Sequence, residues 1–136
     1  MIVVAWIAAW FATALVFLAL DALWLGVIAK RGYRKAAGPV LAENYDGAMA
    51  VVFYVIYVTG AVLFGLAASL FGPLPLDKAF QGAAFGLFAY AAVNFTNAAV
   101  LKAWPRPLAF VDTFWGTFLT GVSVFAGAMT LQALGG

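Results

Sequence analysis

The sequence predicts an all-α integral membrane protein, with four transmembrane helices in one antiparallel up-down bundle over residues 1–136. Three observations predict it. First, 67% of the residues are hydrophobic and only 9% are charged, against about 25% charged in soluble domains. Second, the mean hydropathy is +1.06. A soluble chain of this size leaves roughly a third of its unfolded surface in water, so this much apolar surface calls for lipid. Third, the apolar residues gather in four stretches, each longer than the roughly 20 residues that cross a hydrocarbon core of about 30 Å.

The first span is expected at about 2–29. It opens MIVVAWIAAWFATALVFLAL, with Thr13 its only polar side chain, and no basic residue precedes Lys30. A signal peptide has a basic leader and a shorter apolar core, so this segment reads as a retained helix. A polar stretch, KRGYRKAAGPVLAENYDG, follows. The second span is expected at about 48–71, and GPLPLDK reads as a turn with two prolines. The third is expected at about 80–101, ended by WPRP, since proline resists helix continuation and restrains the residue before it. The fourth is expected at about 108–133. Short links imply antiparallel neighbours. Neither an internal repeat nor a second domain is visible.

Lys and Arg in short loops set orientation. Lys30, Arg31, Arg34 and Lys35 fall in the first loop, Lys102 and Arg106 in the third, and only Lys78 in the second. That bias puts loops one and three in the cytoplasm and both termini on the periplasmic side of a bacterial inner membrane. The Lys30–Lys35 cluster also suits anionic lipid. The net charge is +2 and its basic residues lie in loops, so no nucleic-acid surface is expected. With no cysteine and no histidine, thiolate, haem and most zinc sites lack their usual ligands. No metal and no cofactor is expected.

The polar residues inside the spans fall into register. Trp10, Thr13, Phe17, Asp21 and Trp24 share one face of the first span. Tyr54, Tyr57 and Ala61 do so on the second. Gly86, Tyr90, Asn94, Asn97 and Leu101 do so on the third, and Asp112, Gly116, Thr120, Ser123 and Gly127 on the fourth. In the up-down topology Asp21, Tyr54, Tyr57, Asn94, Asn97 and Asp112 all reach the cytoplasmic half. Asn97 lies about 7 Å and Asn94 about 12 Å inside Lys102 at 1.5 Å per residue. Turned inward, the stripes make a polar pocket with aromatic walls, above a tightly packed outer half.

Each residue also has a structural reading. Thr120 and Ser123 read as interhelical glue, and for the asparagines glue and site stand level. Trp6 and Trp104 read as interfacial belt residues. Trp24 and Trp115 are either belt or pocket wall. Asp112 is either the N-cap of the fourth helix, accepting from amides near Phe114 and Trp115, or a site acid. Asp21 lies roughly 9 Å from its helix midpoint. A carboxylate at mid-membrane costs about 2.5–3.5 kcal/mol on insertion scales, so an acid there is read as functional. It could be protonated, bonded to Asn97, or paired with Lys102 or Arg106.

These residues also carry a family resemblance over nearly the whole chain. Asp21, Trp24 and Leu25 form an Asp-x-x-Trp-Leu run, and Tyr54 with Tyr57 a paired-tyrosine motif. Thr96 and Asn97 lead to Trp104 and Pro105, and Asp112, Trp115 and Gly116 form Asp-x-x-Trp-Gly. The pattern resembles an uncharacterised family of small bacterial integral membrane proteins, domain of unknown function 2177. The resemblance implies four spans and an inner-membrane location, and no established reaction. Asn94 departs from the family, where an aspartate often stands. Asparagine keeps the shape but loses the ionisable group.

Three functions are weighed. The favoured one is ion or small-molecule binding or transport. Asp21 would hold the charge or proton, with Asn94, Asn97 and Tyr57 as polar contacts and Trp24 and Trp115 as walls. Tyr54, Tyr90, Thr96 and Asp112 complete the candidate set. So narrow a bundle would need a homodimer for a path. The runner-up is an accessory or assembly subunit of a larger membrane complex, in contact with pigment or lipid; the bilayer is the partner common to all readings. A lipid- or isoprenoid-modifying enzyme, with Asp21 and Asp112 as acid and base, ranks last.

Overall fold

The computed structural model describes residues 1–28 and 46–136. Among them are four helices long and apolar enough to cross a membrane. We label them α1 (Ile2–Leu23), α2 (Gly47–Ala61), α3 (Pro75–Val100) and α4 (Arg106–Ala133). α1 runs on as a π-helical turn over Trp24–Ile28, and α2 as another over Val62–Ala67. The expected bundle is what forms. Trp6 and Gly136 line one cavity with Leu74 of the α2–α3 link, so these segments share one end. Asp21, Tyr54, Trp104 and Asp112 belong to the other.

The boundaries differ from expectation by a few residues, and each shift has a cause. α2 begins at Gly47 because Asp46 caps it, accepting from the Met49 amide at 3.2 Å. α3 begins at Pro75 rather than near residue 80. Proline fits the first helical position, where no amide hydrogen is needed, and Asp77, three residues after Leu74, accepts from the Leu74 amide at 3.0 Å. Pro75 therefore starts a helix instead of a turn, and Lys78 lies within it. α4 starts at Arg106, two residues early, because Pro107 is tolerated in a first turn. It ends in a Schellman motif: Gly136 N–H reaches Leu131 C=O at 2.8 Å and Gly135, at φ +74°, reaches Gln132 C=O. The expected end of the first span at residue 29 and the cluster Lys30, Arg31, Arg34 and Lys35 lie outside the described residues.

α2 ends at Ala67 rather than near residue 71, because side chains of α3 take over the roles of its missing backbone partners. Gln81, only 2% exposed, donates to the carbonyls of Gly65 and Ala68 at 2.9 and 2.7 Å. Its oxygen accepts from the amides of Leu70 and Phe71 at 2.9 and 2.8 Å. Hydrogen bonds within membranes average only about 0.6 kcal/mol each, but unsatisfied groups in hydrocarbon cost more. We expect Gln81→Leu to destabilise the bundle by about 2 kcal/mol, read as a lower melting temperature in detergent, with Gln81→Glu milder because its oxygens still accept.

Small residues carry the packing. A Cβ on Gly65 would lie 3.0 Å from Gly82 Cα, and one on Gly86 would lie 2.5 Å from the Gly116 carbonyl. Gly82 and Gly86 face Gly116, Thr120 and Val124, so α3 and α4 meet nearly backbone to backbone. This is the close approach that small residues permit where lipid offers no hydrophobic drive. The core along α1 and α4 holds Ala9, Thr13, Phe17, Leu119, Ser123 and Val124, each essentially inaccessible. Large apolar side chains such as Phe11, Phe88, Phe110 and Phe114 cover the outside, as a lipid-facing surface requires.

Candidate functional site

The stripes converge as their register requires. On α1, Thr13, Phe17 and Asp21 are buried and Trp24 half-buried; on α2, Tyr57 and Ala61 are buried and Tyr54 half-buried. On α3, Gly86 and Asn94 are buried and Tyr90 half-buried. On α4, Gly116, Thr120, Ser123 and Gly127 are buried and Asp112 is half-buried.

Two carboxylates organise the end away from the termini. Asp21 is 7% exposed and accepts from the Tyr54 hydroxyl at 2.7 Å. It does not bond Asn97, Lys102 or Arg106. Asp112 is close enough for its charge to bear on Asp21. Asp112 does not cap α4. It sits in the second turn, six residues past Arg106, and accepts from the Asn94 amide at 2.7 Å. Asn94 is 1% exposed. It also donates to the Tyr90 carbonyl at 3.0 Å and accepts from the Trp104 indole N–H at 3.2 Å. Trp104, read from sequence as a belt residue, is therefore tied into the cluster.

Aromatic rings wall the acids. Trp24 and Trp115 stack with centroids 4.6 Å apart and planes 9° from parallel. Their indole nitrogens are buried without a hydrogen-bond partner among the described residues, and the Trp115 side chain lies near enough to act on the Asp21 carboxylate. The π turn that begins at Trp24 shifts the bonding register of α1 beside this stack; such turns recur at functional sites. Below Asp21, Phe17 packs edge-on against Tyr54, at 5.9 Å, and Tyr57 packs edge-on against Tyr90, at 5.7 Å.

Hydrogen direction follows from valence. Thr120 donates its one hydroxyl hydrogen to the Gly116 carbonyl at 2.7 Å. Tyr57, 2.8 Å from Thr120 Oγ1, must therefore be the donor of that pair. Thr13 and Ser123 likewise donate to carbonyls four residues back, at 2.8 and 2.7 Å.

Two expected members stand apart. Thr96 is exposed, because two residues along a helix from Asn94 is nearly the opposite face. Asn97 is half-buried and makes no side-chain hydrogen bond among the described residues. Cavities along lipid-facing grooves and at the end with the termini are lined by residues outside this cluster.

A family profile described as "Predicted membrane protein (DUF2177)" matches residues 6–129, which takes in α2, α3, most of α1 and α4, and every residue of the cluster. The chain belongs to this family. The match bears out the resemblance drawn from Asp21, Trp24, Asp112 and Trp115, and identifies this DUF2177 protein as a multi-pass membrane protein. No curated protein and no solved structure matches it.

Proposed function

We propose that this DUF2177 protein binds a small cation, the proton included, at Asp21, and that the site serves binding or transport across a bacterial inner membrane. One observation carries the reading. Asp21 is a buried carboxylate inside a membrane span, held by a neutral tyrosine hydroxyl and facing a second acid, with no cation beside it among the described residues. An acid so placed is costly unless a positive charge visits it. The Tyr54 hydroxyl orients one oxygen and leaves the other to a ligand. The stacked indoles, with ring faces that attract cations, exclude water.

On this reading the acids lie toward the cytoplasm, the termini toward the periplasm, and a second copy of the chain completes any path. Asn94, Tyr57 and Tyr90 position the acids, and Asn97 lies at the rim.

The test uses the indoles as reporters. Trp24 and Trp115 lie beside Asp21, so loading the carboxylate changes their emission. In liposomes containing the wild-type protein, tryptophan fluorescence is expected to titrate with pH or with added monovalent cation, and Asp21→Asn is expected to flatten the curve. Tyr54→Phe keeps the response and shifts its midpoint. An Asp21→Asn protein with a wild-type titration and wild-type ion flux would remove the acid as the site.

A further inference from the structure

At the opposite end of the bundle, we propose a second site, independent of the carboxylates, that binds the headgroup of an anionic phospholipid on Lys78. The starting point is a lysine in the wrong place for a topology signal. The sequence places Lys78 in a loop, yet it lies in the first turn of α3 and is only 9% exposed. Its Nζ donates to the Ala68 carbonyl at 2.6 Å. That carbonyl already accepts from Gln81 at 2.7 Å, so both its lone pairs are engaged. No acid pairs with Lys78 among the described residues. The neighbouring Asp77 carboxylate is engaged by the Leu74 amide at 3.0 Å and does not line the space that Lys78 does.

An ammonium has three hydrogens, and here one is used. Lys78 lines a half-open cavity of about 450 Å³ between the α2–α3 link and the ends of α1 and α4. Ser69 and Gln132 add polar groups to its wall, and Trp6, Leu66 and Leu131 make up apolar parts of it. The chemistry is amphiphilic: a buried positive charge with unused donors, two neutral polar side chains, the Gly136 main chain and an apolar wall that shares Trp6 with a lipid-facing groove. Trp6 belongs with this picture, since indoles favour the headgroup level. A phosphodiester with acyl chains meets each feature. Its oxygens take the free ammonium hydrogens, and its chains lie along the apolar wall. A soluble anion would leave that wall unused, and a zwitterionic lipid carries its own ammonium, which repels Lys78.

The experiment is native mass spectrometry of the purified protein in detergent, with palmitoyl-oleoyl phosphatidylglycerol or phosphatidylcholine added at equal concentration. One phosphatidylglycerol is expected to bind about tenfold more tightly than phosphatidylcholine, because both offer the phosphodiester and only the second brings an ammonium that repels Lys78. Lys78→Gln removes the charge and is expected to erase the preference, whereas Lys78→Arg keeps it. Equal binding of the two lipids by the wild type, or an undiminished preference in Lys78→Gln, overturns the proposal. So does removal of the bound lipid by an equal concentration of inorganic phosphate, which would make the ligand a soluble anion. Should Lys78→Gln fail to fold, Gln132→Trp narrows the exposed rim without touching Ala68. It is expected to weaken phosphatidylglycerol binding several-fold, and unchanged binding there counts equally against the site.

Discussion

Gly86→Leu is expected to abolish the folded bundle. A Cβ at this position would lie 2.5 Å from the Gly116 carbonyl and 2.6 Å from Thr120 Oγ1, and the carbonyl belongs to a helix backbone that cannot step aside. Overpacking of ordinary cores costs about 1–3 kcal/mol. Here relief requires α3 and α4 to separate along their whole seam, so we expect a loss beyond about 3 kcal/mol, seen as aggregation in size-exclusion chromatography. Gly116→Ala tests the same seam from the other side, where its methyl group would meet the Tyr90 ring. Gly26 supplies the control. No described residue comes within 4 Å of a Cβ there, so Gly26→Ala should elute and melt as the wild type does. Equal behaviour of Gly26→Ala and Gly86→Leu would show that the seam contributes little.

Asn94→Leu is the second large effect. The substitution leaves the Trp104 indole N–H without its acceptor and takes from Asp112 the amide donor 2.7 Å away. Removing one partner of a buried charged group costs about 3–5 kcal/mol. Asp112 is half-buried, and we expect about 3 kcal/mol, measured by thermal melting in detergent. Asn94→Asp separates shape from hydrogen bonding. It sets two carboxyl groups at hydrogen-bonding distance, where both cannot be ionised together, and only a bound proton restores the bridge. Its melting temperature should therefore rise as pH falls, approaching the wild type in acid, while that of Asn94→Leu stays low. A pH-independent Asn94→Asp would mean that the Asn94–Asp112 contact does not hold in the membrane protein.

How far the sequence could be read depended on helical periodicity. Where a helix is unbroken, the spacing of threes and fours placed Thr13, Phe17 and Asp21 inward on α1, and Gly116, Thr120, Ser123 and Gly127 inward on α4. The same arithmetic applied upstream from Gly86 gives Gly82 and Lys78, four residues apart each time. That signal places Lys78 within α3, but the prolines at 73 and 75 read locally as a longer turn. Trp104 had no such guide. It follows the end of α3 at Val100, and only the irregular backbone before Arg106 brings its indole back to Asn94. Asp112 was ambiguous because its role turned on a boundary. With α4 starting near 108 it stood close to the cap, whereas two more residues of helix turn it toward α3. Gln81 is a lone amide among small and apolar neighbours. Its task depends on where α2 stops, which no local pattern in α3 encodes.

The hydroxyl of Thr120 has a consequence for how charge could move through the protein. Tyr57 hands its hydrogen to Thr120, Thr120 hands its own to a backbone carbonyl, and Thr13 and Ser123 do likewise within their helices. Beyond Tyr57 the hydroxyls of Thr120, Thr13 and Ser123 each end on a backbone carbonyl, which has no proton to relay, so these described residues make a cul-de-sac rather than a wire. On the proposed reading, a charge that enters at Asp21 finds no relay through this column, and crossing the membrane calls for the second copy or a movement of the helices.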